Sequence, residues 1–293
     1  MRKRTSIISN IVGTILTGIA LSLLLCGAVS CQKTVLRACL WMWGHGVGTA
    51  SDVGYYNIPS GNKMDMAEAI EYMGIPNVFV VRWEGKPEPP FDNFIKQFDD
   101  TKRLSWSLVD GAPESYEQKK QWAFDLVEKM PNLTGFCLDD FFNKNYQLSV
   151  EQLQQLRKET DALDRNLRLS MVLYSFELGL DIKKYIDCVD EVLFWTWHAT
   201  DLVKLEENFR TYREIVPDKP TLLGIYMWDF GNSKPIPLDL MKLQLDFALE
   251  KFRQGEIEGL IFHCTPLVDL GLESVEYARK WIAEHADIVR DDR

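Results

Sequence analysis

Apolar and polar segments alternate regularly along this chain from about residue 37 onward. Each short apolar run is bounded by turn-forming residues, which is typical of buried parallel strands, and the longer amphipathic segments between the runs are typical of helices. The predicted strands are 37–43, 77–83, 103–109, 133–142, 167–174, 191–197, 221–228 and 259–262. The predicted helices are 64–73, a stretch beginning at Phe91, 113–130, 149–163, 181–186, 202–215, 238–252 and 274–284.

This order of elements predicts the fold. Eight strand–helix units in about 260 residues match the size and element order of a (β/α)8 TIM barrel of the α/β class, with parallel strands joined by right-handed crossovers. A doubly wound open sheet is the alternative, but neither a GxGxxG motif nor a phosphate-binding loop follows any predicted strand. We therefore predict one barrel domain over residues 31–293, with no linker and no internal repeat.

Residues 1–30 have the pattern of a targeting segment. Basic residues near the start precede a nearly continuous apolar stretch, 7–25, and the sequence Gly-Ala-Val-Ser-Cys ending at Cys31 resembles a bacterial lipobox. Gln32 is similar to the residue that sorts such lipoproteins to the outer membrane. Plain cleavage after Ser30 and an uncleaved anchor are the alternatives, since about 20 apolar residues span a bilayer. We expect a lipoprotein of the cell envelope, anchored through Cys31 to the outer membrane on its periplasmic or surface face.

Charge and composition narrow the choice of partner. The formal net charge is −10, and residues 31–293 carry 30 basic and 43 acidic side chains, a charge of −13. A surface this acidic argues against nucleic acid as a partner and favours neutral or cationic ligands. Aromatic residues make up 12% of the chain, enough for a large core, and the cysteines include no CxxC pair of the kind that binds zinc.

The stretch 133–142 is the predicted centre of the site. Its apolar run ends on two adjacent carboxylates, Asp139 and Asp140. A buried strand end has no structural need for two carboxylates. Helix capping is the alternative for either one, but the next helical pattern begins only near Ser149. Because adjacent side chains in a strand point oppositely, we expect one carboxylate to face the barrel axis and the other to cap or hydrogen-bond.

Polar and aromatic residues also collect at the ends of other predicted strands, where a TIM barrel carries its site. The polar candidates are His45, Glu84, Asp110, Glu177, His198, Asp229 and His263. The aromatic candidates are Trp43, Trp83, Tyr174, Trp197, Tyr226 and Trp228. The opposite strand ends carry nothing comparable. Aromatic faces pack on sugar rings and carboxylates bind hydroxyls, so the set predicts a carbohydrate ligand. The alternative is that the rings only fill the barrel mouth and the charges face solvent.

Glycoside hydrolysis needs one protonated carboxyl and one carboxylate. Asp140, or its neighbour Asp139, is the first candidate for one role, because Phe141 and Phe142 beside it would exclude water and raise a carboxyl pKa. Asp229, across the barrel mouth on the seventh predicted strand, is the first candidate partner. Glu177, three residues beyond the fifth predicted strand, is the second.

Three of the four His lie at strand ends, which also suggests a metal-dependent hydrolase. The first predicted strand nevertheless shows Trp43-Gly44-His45 and lacks the HxH pair of metal-dependent amidohydrolase barrels. We therefore predict neither a metal nor another cofactor. Hydrogen bonding to substrate is the predicted role of His45, His198 and His263.

The layout over residues 37–285 resembles the TIM-barrel glycoside hydrolase superfamily and, with the lipobox, is similar to glycan-processing lipoproteins of diderm bacteria. In the chitinase-like signature of the fourth strand, Gly135 and Asp139 match, whereas Cys137 replaces an Asp and Phe141 replaces the catalytic Glu. The resemblance implies either a hydrolase with a different acid or a binding protein. We expect a glycoside hydrolase acting on an oligo- or polysaccharide, with a non-catalytic carbohydrate-binding lipoprotein as the alternative.

Overall fold

The computed structural model describes residues 33–50, 52, 54–142 and 148–291. Residues Thr34–Arg290 form one compact unit around a closed barrel of eight strands. The barrel strands are β1 (Leu40–Gly44), β2 (Asn77–Val80), β3 (Arg103–Val109), β4 (Leu133–Leu138), β5 (Arg168–Tyr174), β6 (Glu191–Trp195), β7 (Thr221–Tyr226) and β8 (Gly259–His263). The helices are α1 (Met66–Met73), α2 (Tyr116–Lys129), α3 (Val150–Asp161), α4 (Lys183–Ile186), α5 (Leu205–Ile215), α6 (Leu238–Arg253) and α7 (Glu273–His285).

Each strand pairs in parallel with the next one along the chain, and β8 pairs back onto β1. Leu40 aligns with Leu260 and Trp43 with His263 across this closing pair. Closure leaves no free sheet edge, and the predicted (β/α)8 TIM barrel is confirmed. Two further strands, Lys33–Val35 and Val289–Asp291, form a separate two-stranded sheet.

The predicted leader, with its lipidation residue Cys31, lies outside the described residues. Among the residues that the structure describes, no helix combines the length and the apolar character needed to cross a membrane.

Several strands end earlier than predicted, β4 at Leu138 rather than at residue 142, and two other elements differ in their type or their start. The amphipathic stretch after Phe91 forms only a short 3-10 helix, Phe94–Phe98, because the preceding prolines leave little of this crossover available for regular structure. The first strand begins at Leu40 rather than at residue 37, since Leu36–Cys39 also forms a 3-10 turn. None of these differences changes the strand order of the barrel.

Local capping signals set the ends of several crossover helices. Asp65 caps α1 by accepting a hydrogen bond from the Glu68 amide while the Glu68 side chain accepts one from the Asp65 amide. Gly74 ends α1 with a φ of 69°, the left-handed conformation in which glycine is favoured. Ser149 and Gln152 form the same reciprocal cap at the start of α3.

A layer of aromatic rings fills the upper barrel interior. Trp43 lies 5.5 Å from Trp195 and 6.1 Å from His263, measured between ring centroids. Tyr226 closes the layer at 5.0 Å from Trp195 and 4.9 Å from His263. Gly224 makes room for this packing, because a Cβ atom there would lie 1.9 Å from the Trp195 ring. The layer forms the floor of the cavity above it.

The opposite end of the barrel holds a charged cluster, contrary to the expectation that those strand ends carry nothing comparable. A cavity of about 240 Å³ there is lined by Glu191, which is buried and accepts hydrogen bonds from Arg168 at 3.0 Å and from Ser170 at 2.8 Å. The Arg103 guanidinium lies 4.8 Å from the Trp41 ring. The hydrogen bonds from Arg168 and Ser170 satisfy the buried Glu191 carboxylate within the protein, which is consistent with a structural role for this cluster.

We predict that Gly224→Ala lowers the free energy of unfolding by about 1–3 kcal/mol, because the added methyl group displaces the Trp195 ring in a close-packed interior. Gly179→Ala is the matched control, since a Cβ atom at Gly179 meets nothing within 4 Å. Urea denaturation of both variants measures the difference. Equal stability of the two variants would show that the aromatic layer is loosely packed.

Candidate functional site

The main candidate site is a cavity at the C-terminal end of the barrel strands, with a volume of about 120 Å³. It opens above the aromatic layer, where a TIM barrel carries its active site. Its lining consists of Trp43, His45, Tyr56, Arg82, Trp83, Gly111, Asp139, Asp140, Tyr174, Trp195, Trp197, Tyr226, Phe230 and His263.

Most of the residues predicted from strand ends meet in this cavity. Those that line it are Trp43, His45, Trp83, Asp139, Asp140, Tyr174, Trp197, Tyr226 and His263. Those outside the lining are Glu84, Asp110, Glu177, His198, Trp228 and Asp229. The chemical roles of the residues that line the cavity stay predictions. The positions and contacts of the residues outside the lining are described below.

Both members of the carboxylate pair line the cavity, so the expectation that only one would face it is wrong. The strand β4 ends at Leu138, before the pair begins. Asp140 has a φ of 47°, in the left-handed region that Asp tolerates better than most residues. The alternation of side chains along a strand therefore does not apply, and the turn presents Asp139 and Asp140 to the same space.

Burial holds the pKa of the Asp139 carboxyl well above its usual range. The negative charges of Asp140 and Asp110 raise it further, whereas a backbone hydrogen bond from Asp140 and the charge of Lys119 act in the opposite direction. A carboxyl in such surroundings keeps its proton to a higher pH than an exposed one. Asp139 therefore has the properties of a proton donor.

The Tyr174 hydroxyl, at the end of β5, donates a hydrogen bond to Asp140 Oδ1 at 2.7 Å. Burial, and then the nearby groups Tyr226, Asp140 and Asp139, raise the pKa of Tyr174 well above its ordinary value. The tyrosine therefore stays a hydrogen-bond donor at neutral pH. This contact orients the Asp140 carboxylate toward the cavity.

Asp110 lies behind the pair rather than in the cavity lining. Its carboxylate is 2.7 Å from Lys119 Nζ in an ion pair whose side chains are almost completely buried. It also accepts hydrogen bonds from Ser107 Oγ and from the Ala112 amide. With its oxygens already engaged, Asp110 acts on the site through its charge, which contributes to the raised pKa of Asp139.

Asp229 and Glu177, the two predicted partners of Asp140, accept hydrogen bonds from nearby backbone amides. Asp229 is 1% exposed and accepts hydrogen bonds from the Ala199 amide and from both the amide and side chain of Asn232. Glu177 accepts a hydrogen bond from the Tyr174 amide at 2.8 Å, and burial raises its pKa to about 7. Neither lines the cavity, so the structure does not support pairing Asp140 with Asp229 or Glu177. The carboxylates of the cavity lining are Asp139 and Asp140.

The phenylalanines that follow the pair do not dehydrate it from inside the cavity. Phe141 and Phe142 are buried against Tyr185, at 5.8 and 5.9 Å between centroids, and do not line the cavity. The rings that surround the carboxylates come instead from other strand ends and from the loop after β1.

Both cavity histidines are buried and neutral at physiological pH. His45 Nδ1 hydrogen-bonds to the Val81 carbonyl at 2.9 Å, and burial lowers the pKa of His45 to about 4. Burial and the neighbouring His45 lower the pKa of His263 well below its ordinary value, and His263 Nδ1 has no hydrogen-bond partner. His263 lines the cavity, but its Nδ1 atom is buried.

The third strand-end histidine, His198, packs against Gly231 and does not line the cavity. Within residues 33–50, 52, 54–142 and 148–291, no group of three or more His, Cys, Asp or Glu side chains is arranged to hold a metal ion. The arrangement of the described residues therefore offers no support for the metal-dependent alternative.

Sequence reasoning missed the loop that crosses the cavity mouth. Tyr56, in the loop after β1, lies 5.8 Å from Trp197 and 5.2 Å from Phe230 between ring centroids. The Trp228 indole donates a hydrogen bond to the Tyr56 carbonyl at 3.0 Å, so Trp228 anchors this loop. No strand-end pattern marks a loop residue of this kind, and only the tertiary structure brings Tyr56 to the site.

Arg82, Gly111 and Trp195 were also missed as lining residues. A charged residue inside the apolar run 77–83 was a signal for Arg82, whose buried guanidinium binds both Glu114 oxygens at 2.9 and 3.0 Å. It also donates to the carbonyls of residues 85 and 87, which holds the turn after β2. Glu84 lies in that turn, exposed to solvent and with a φ of 53°.

Comparison with solved structures identifies the fold of these residues and nothing finer. The catalytic domain of a hyperthermophilic chitinase from Pyrococcus furiosus is 14% identical, with a TM-score of 0.56 over 85% of this chain and 96% of that one. The GH99 endo-alpha-mannosidase from Bacteriodes thetaiotaomicron is 11% identical, with a TM-score of 0.55 over 85% of this chain and 97% of that one.

A probable 2-pyrone-4,6-dicarboxylic acid hydrolase from Acinetobacter baumannii is 14% identical, with a TM-score of 0.52 over 85% of this chain and 94% of that one. No protein-family model matches the chain. No curated protein sequence matches it either. The structural relatives are thus TIM-barrel proteins that include glycoside hydrolases, and at such low identity the likeness is one of fold.

The lowered pKa of His45 predicts a pH dependence of stability. Its folded-state value of about 4 lies below the ordinary 6.5, so the unfolded chain binds the proton first and stability falls as pH drops between these values. We expect the His45 contribution to the free energy of unfolding to decrease by about 2–3 kcal/mol from pH 6.5 to pH 4.

The measurement is urea denaturation at both pH values for the wild type, for His45→Gln and for His285→Gln, a control on the outer helix α7. His45→Gln should lose less stability than the other two proteins over this range. An equal loss of stability in all three proteins would contradict the assignment of His45 as a buried, neutral histidine.

Proposed function

We propose that this protein is a glycoside hydrolase acting on an oligo- or polysaccharide at the C-terminal face of its barrel. The observation that carries the proposal is the pair of adjacent carboxylates in an aromatic cavity, with burial favouring the protonated form of Asp139 and a tyrosine holding Asp140. Aromatic walls suit the C–H faces of a sugar ring, and the carboxyl pair suits acid and base chemistry at the glycosidic bond.

In the proposed reaction, Asp139 donates its proton to the leaving glycosidic oxygen as the bond from that oxygen to the anomeric carbon breaks. The Asp140 carboxylate, oriented by the Tyr174 hydroxyl, stabilises the positive charge that develops on the sugar. A water molecule then adds to the anomeric carbon and releases one proton to the Asp139 carboxylate, so both carboxyl groups return to their starting protonation states.

The fold supports this class of reaction without choosing the sugar. The chitinase and the endo-alpha-mannosidase among the structural relatives act on carbohydrates by their names, and the barrel is common to them and to this chain. We accordingly propose a carbohydrate as the partner of this site. The acidic charge of the chain agrees with a neutral glycan and disfavours nucleic acid.

A non-catalytic carbohydrate-binding protein is the second candidate. One observation favours it, namely that Asp229 and Glu177 are committed to backbone contacts and leave no carboxylate on the cavity wall opposite the pair, within the described residues. Hydrolases with two flanking carboxyl groups place them about 5 Å or more apart on either side of the scissile bond. A binding protein has no such requirement.

The Asp139→Asn and Asp140→Asn variants test the choice between these functions. We expect each variant to lower kcat by at least about 10²-fold while oligosaccharide binding is retained, because the acid or its charged partner is lost. The assay offers the purified full-length chain chito-oligosaccharides, α-mannosides and β-1,4-linked manno- and gluco-oligosaccharides and follows product release. Glu84→Gln, an exposed strand-end carboxylate outside the cavity, is the control and should retain full activity.

Full activity in both Asn variants would overturn the proposed chemistry. Binding without release by the wild type would favour the binding protein. For an active enzyme, the raised pKa of Asp139 also predicts that kcat/KM falls as pH rises through that pKa, at a higher pH than for an exposed carboxyl, since the acid form is consumed.

We also propose that the barrel is anchored to the outer membrane through a lipid on Cys31, on the strength of the lipobox-like sequence 27–31. Expression in a diderm bacterium with labelled palmitate should place the label and the protein in the outer-membrane fraction. Cys31→Ala should lose the label, whereas Cys26→Ala, within the predicted targeting segment, should keep it. A Cys31→Ala variant that retains the label would refute the anchor site.

A further inference from the structure

Two aromatic side chains stand exposed at the mouth of the candidate cavity. Phe176 is 63% exposed and Tyr55 is 51% exposed, although most other rings of the described residues are buried or partly buried. Tyr55 belongs to the loop after β1, and Phe176 follows β5 directly. Exposed aromatic rings beside a cavity are candidates for contact with a ligand.

Each exposed ring is stacked on a residue of the cavity lining. The Phe176 ring lies 5.1 Å from Tyr174 between centroids, with the two planes 6° apart. The Tyr55 ring lies 5.8 Å from Trp83 with planes 16° apart. One face of each ring is therefore covered by the cavity wall and held parallel to it, while the rest of the ring meets solvent.

The barrel order places these two rings on either side of the carboxylates. Trp83 and Tyr55 stand at the β1–β2 side and Tyr174 with Phe176 at β5, whereas Asp139 and Asp140 follow β4, between β2 and β5. A ligand that runs from one exposed ring to the other therefore passes the carboxylate pair. The cavity itself, about 120 Å³, accommodates only a small part of such a ligand.

We propose that Phe176 and Tyr55 are sugar-binding platforms that continue the cavity in two directions, so that the protein takes an extended oligosaccharide and acts within the chain rather than on a disaccharide. The inference rests on the proposed function of the cavity and adds its substrate class. A flat ring fixed parallel to the wall presents one apolar face, which suits the C–H face of a sugar unit. The platforms carry no charge, in keeping with a neutral glycan.

The test is isothermal titration calorimetry on the full-length chain carrying Asp139→Asn, which leaves the ligands uncleaved. The ligands are the oligosaccharides named above, each as a series of increasing length (a ladder) from disaccharide to hexasaccharide. Affinity should rise with ligand length. Adding Phe176→Ala or Tyr55→Ala should lower the affinity for the hexasaccharide by about fivefold and leave that for the disaccharide unchanged, as expected for one lost stacking contact. Leu180→Ala is the matched control, because Leu180 is an exposed apolar residue four positions beyond Phe176 in the same segment.

The outcomes separate this inference from the proposed function. Disaccharide and hexasaccharide binding with equal affinity, or an unchanged hexasaccharide affinity in both platform variants, would overturn the platforms and leave the cavity as a sugar site. If Leu180→Ala also lowered the hexasaccharide affinity fivefold, the loss of affinity would come from removing exposed apolar surface in general, and the stacking role would be overturned. Failure of every ladder to bind, at any length, would overturn both the platforms and the proposed carbohydrate function.

Discussion

Filling the upper barrel with large aromatic rings is the constraint on which the rest of the site depends. A closed barrel of eight strands has an interior that side chains must pack completely. Here Trp43, Trp195, Tyr226 and His263 meet across the axis, and Gly224 makes room for the Trp195 ring. Because these four residues also line the cavity, the layer sets the depth of the cavity.

The electrostatic character of the site follows from the burial of Asp139. Asp139 lies close enough to Asp140 and Asp110 to feel their charges, and the three carboxyl groups have different hydrogen-bond and ion-pair partners. Asp110 receives the Lys119 ammonium and Asp140 receives the Tyr174 hydroxyl, whereas burial of Asp139 favours its neutral form.

The loops above the strands then shape access. The loop after β1 crosses the mouth and is held there by the Trp228 indole and by the rings of Trp197 and Phe230 around Tyr56. On the other side, the turn after β2 is fixed by the buried Arg82 guanidinium. The cavity is therefore bounded by segments that local hydrogen bonds and ring contacts hold in place, while two further rings remain open to solvent at its edge.

The sequence by itself determined the barrel, because alternating apolar runs and amphipathic segments encode each strand and helix locally. It also showed that polar and aromatic groups collect at the C-terminal strand ends, although it missed the charged cluster at the opposite end. The sequence did not determine which of those side chains line the cavity. Asp229 and Glu177 resemble catalytic carboxylates in the sequence, yet both accept hydrogen bonds from nearby backbone amides instead. Asp139 and Asp140 share the cavity only because the chain leaves the strand and adopts a positive φ, and Tyr56 arrives from a distant loop. These outcomes depend on contacts between segments far apart in the chain, which only the tertiary structure decides.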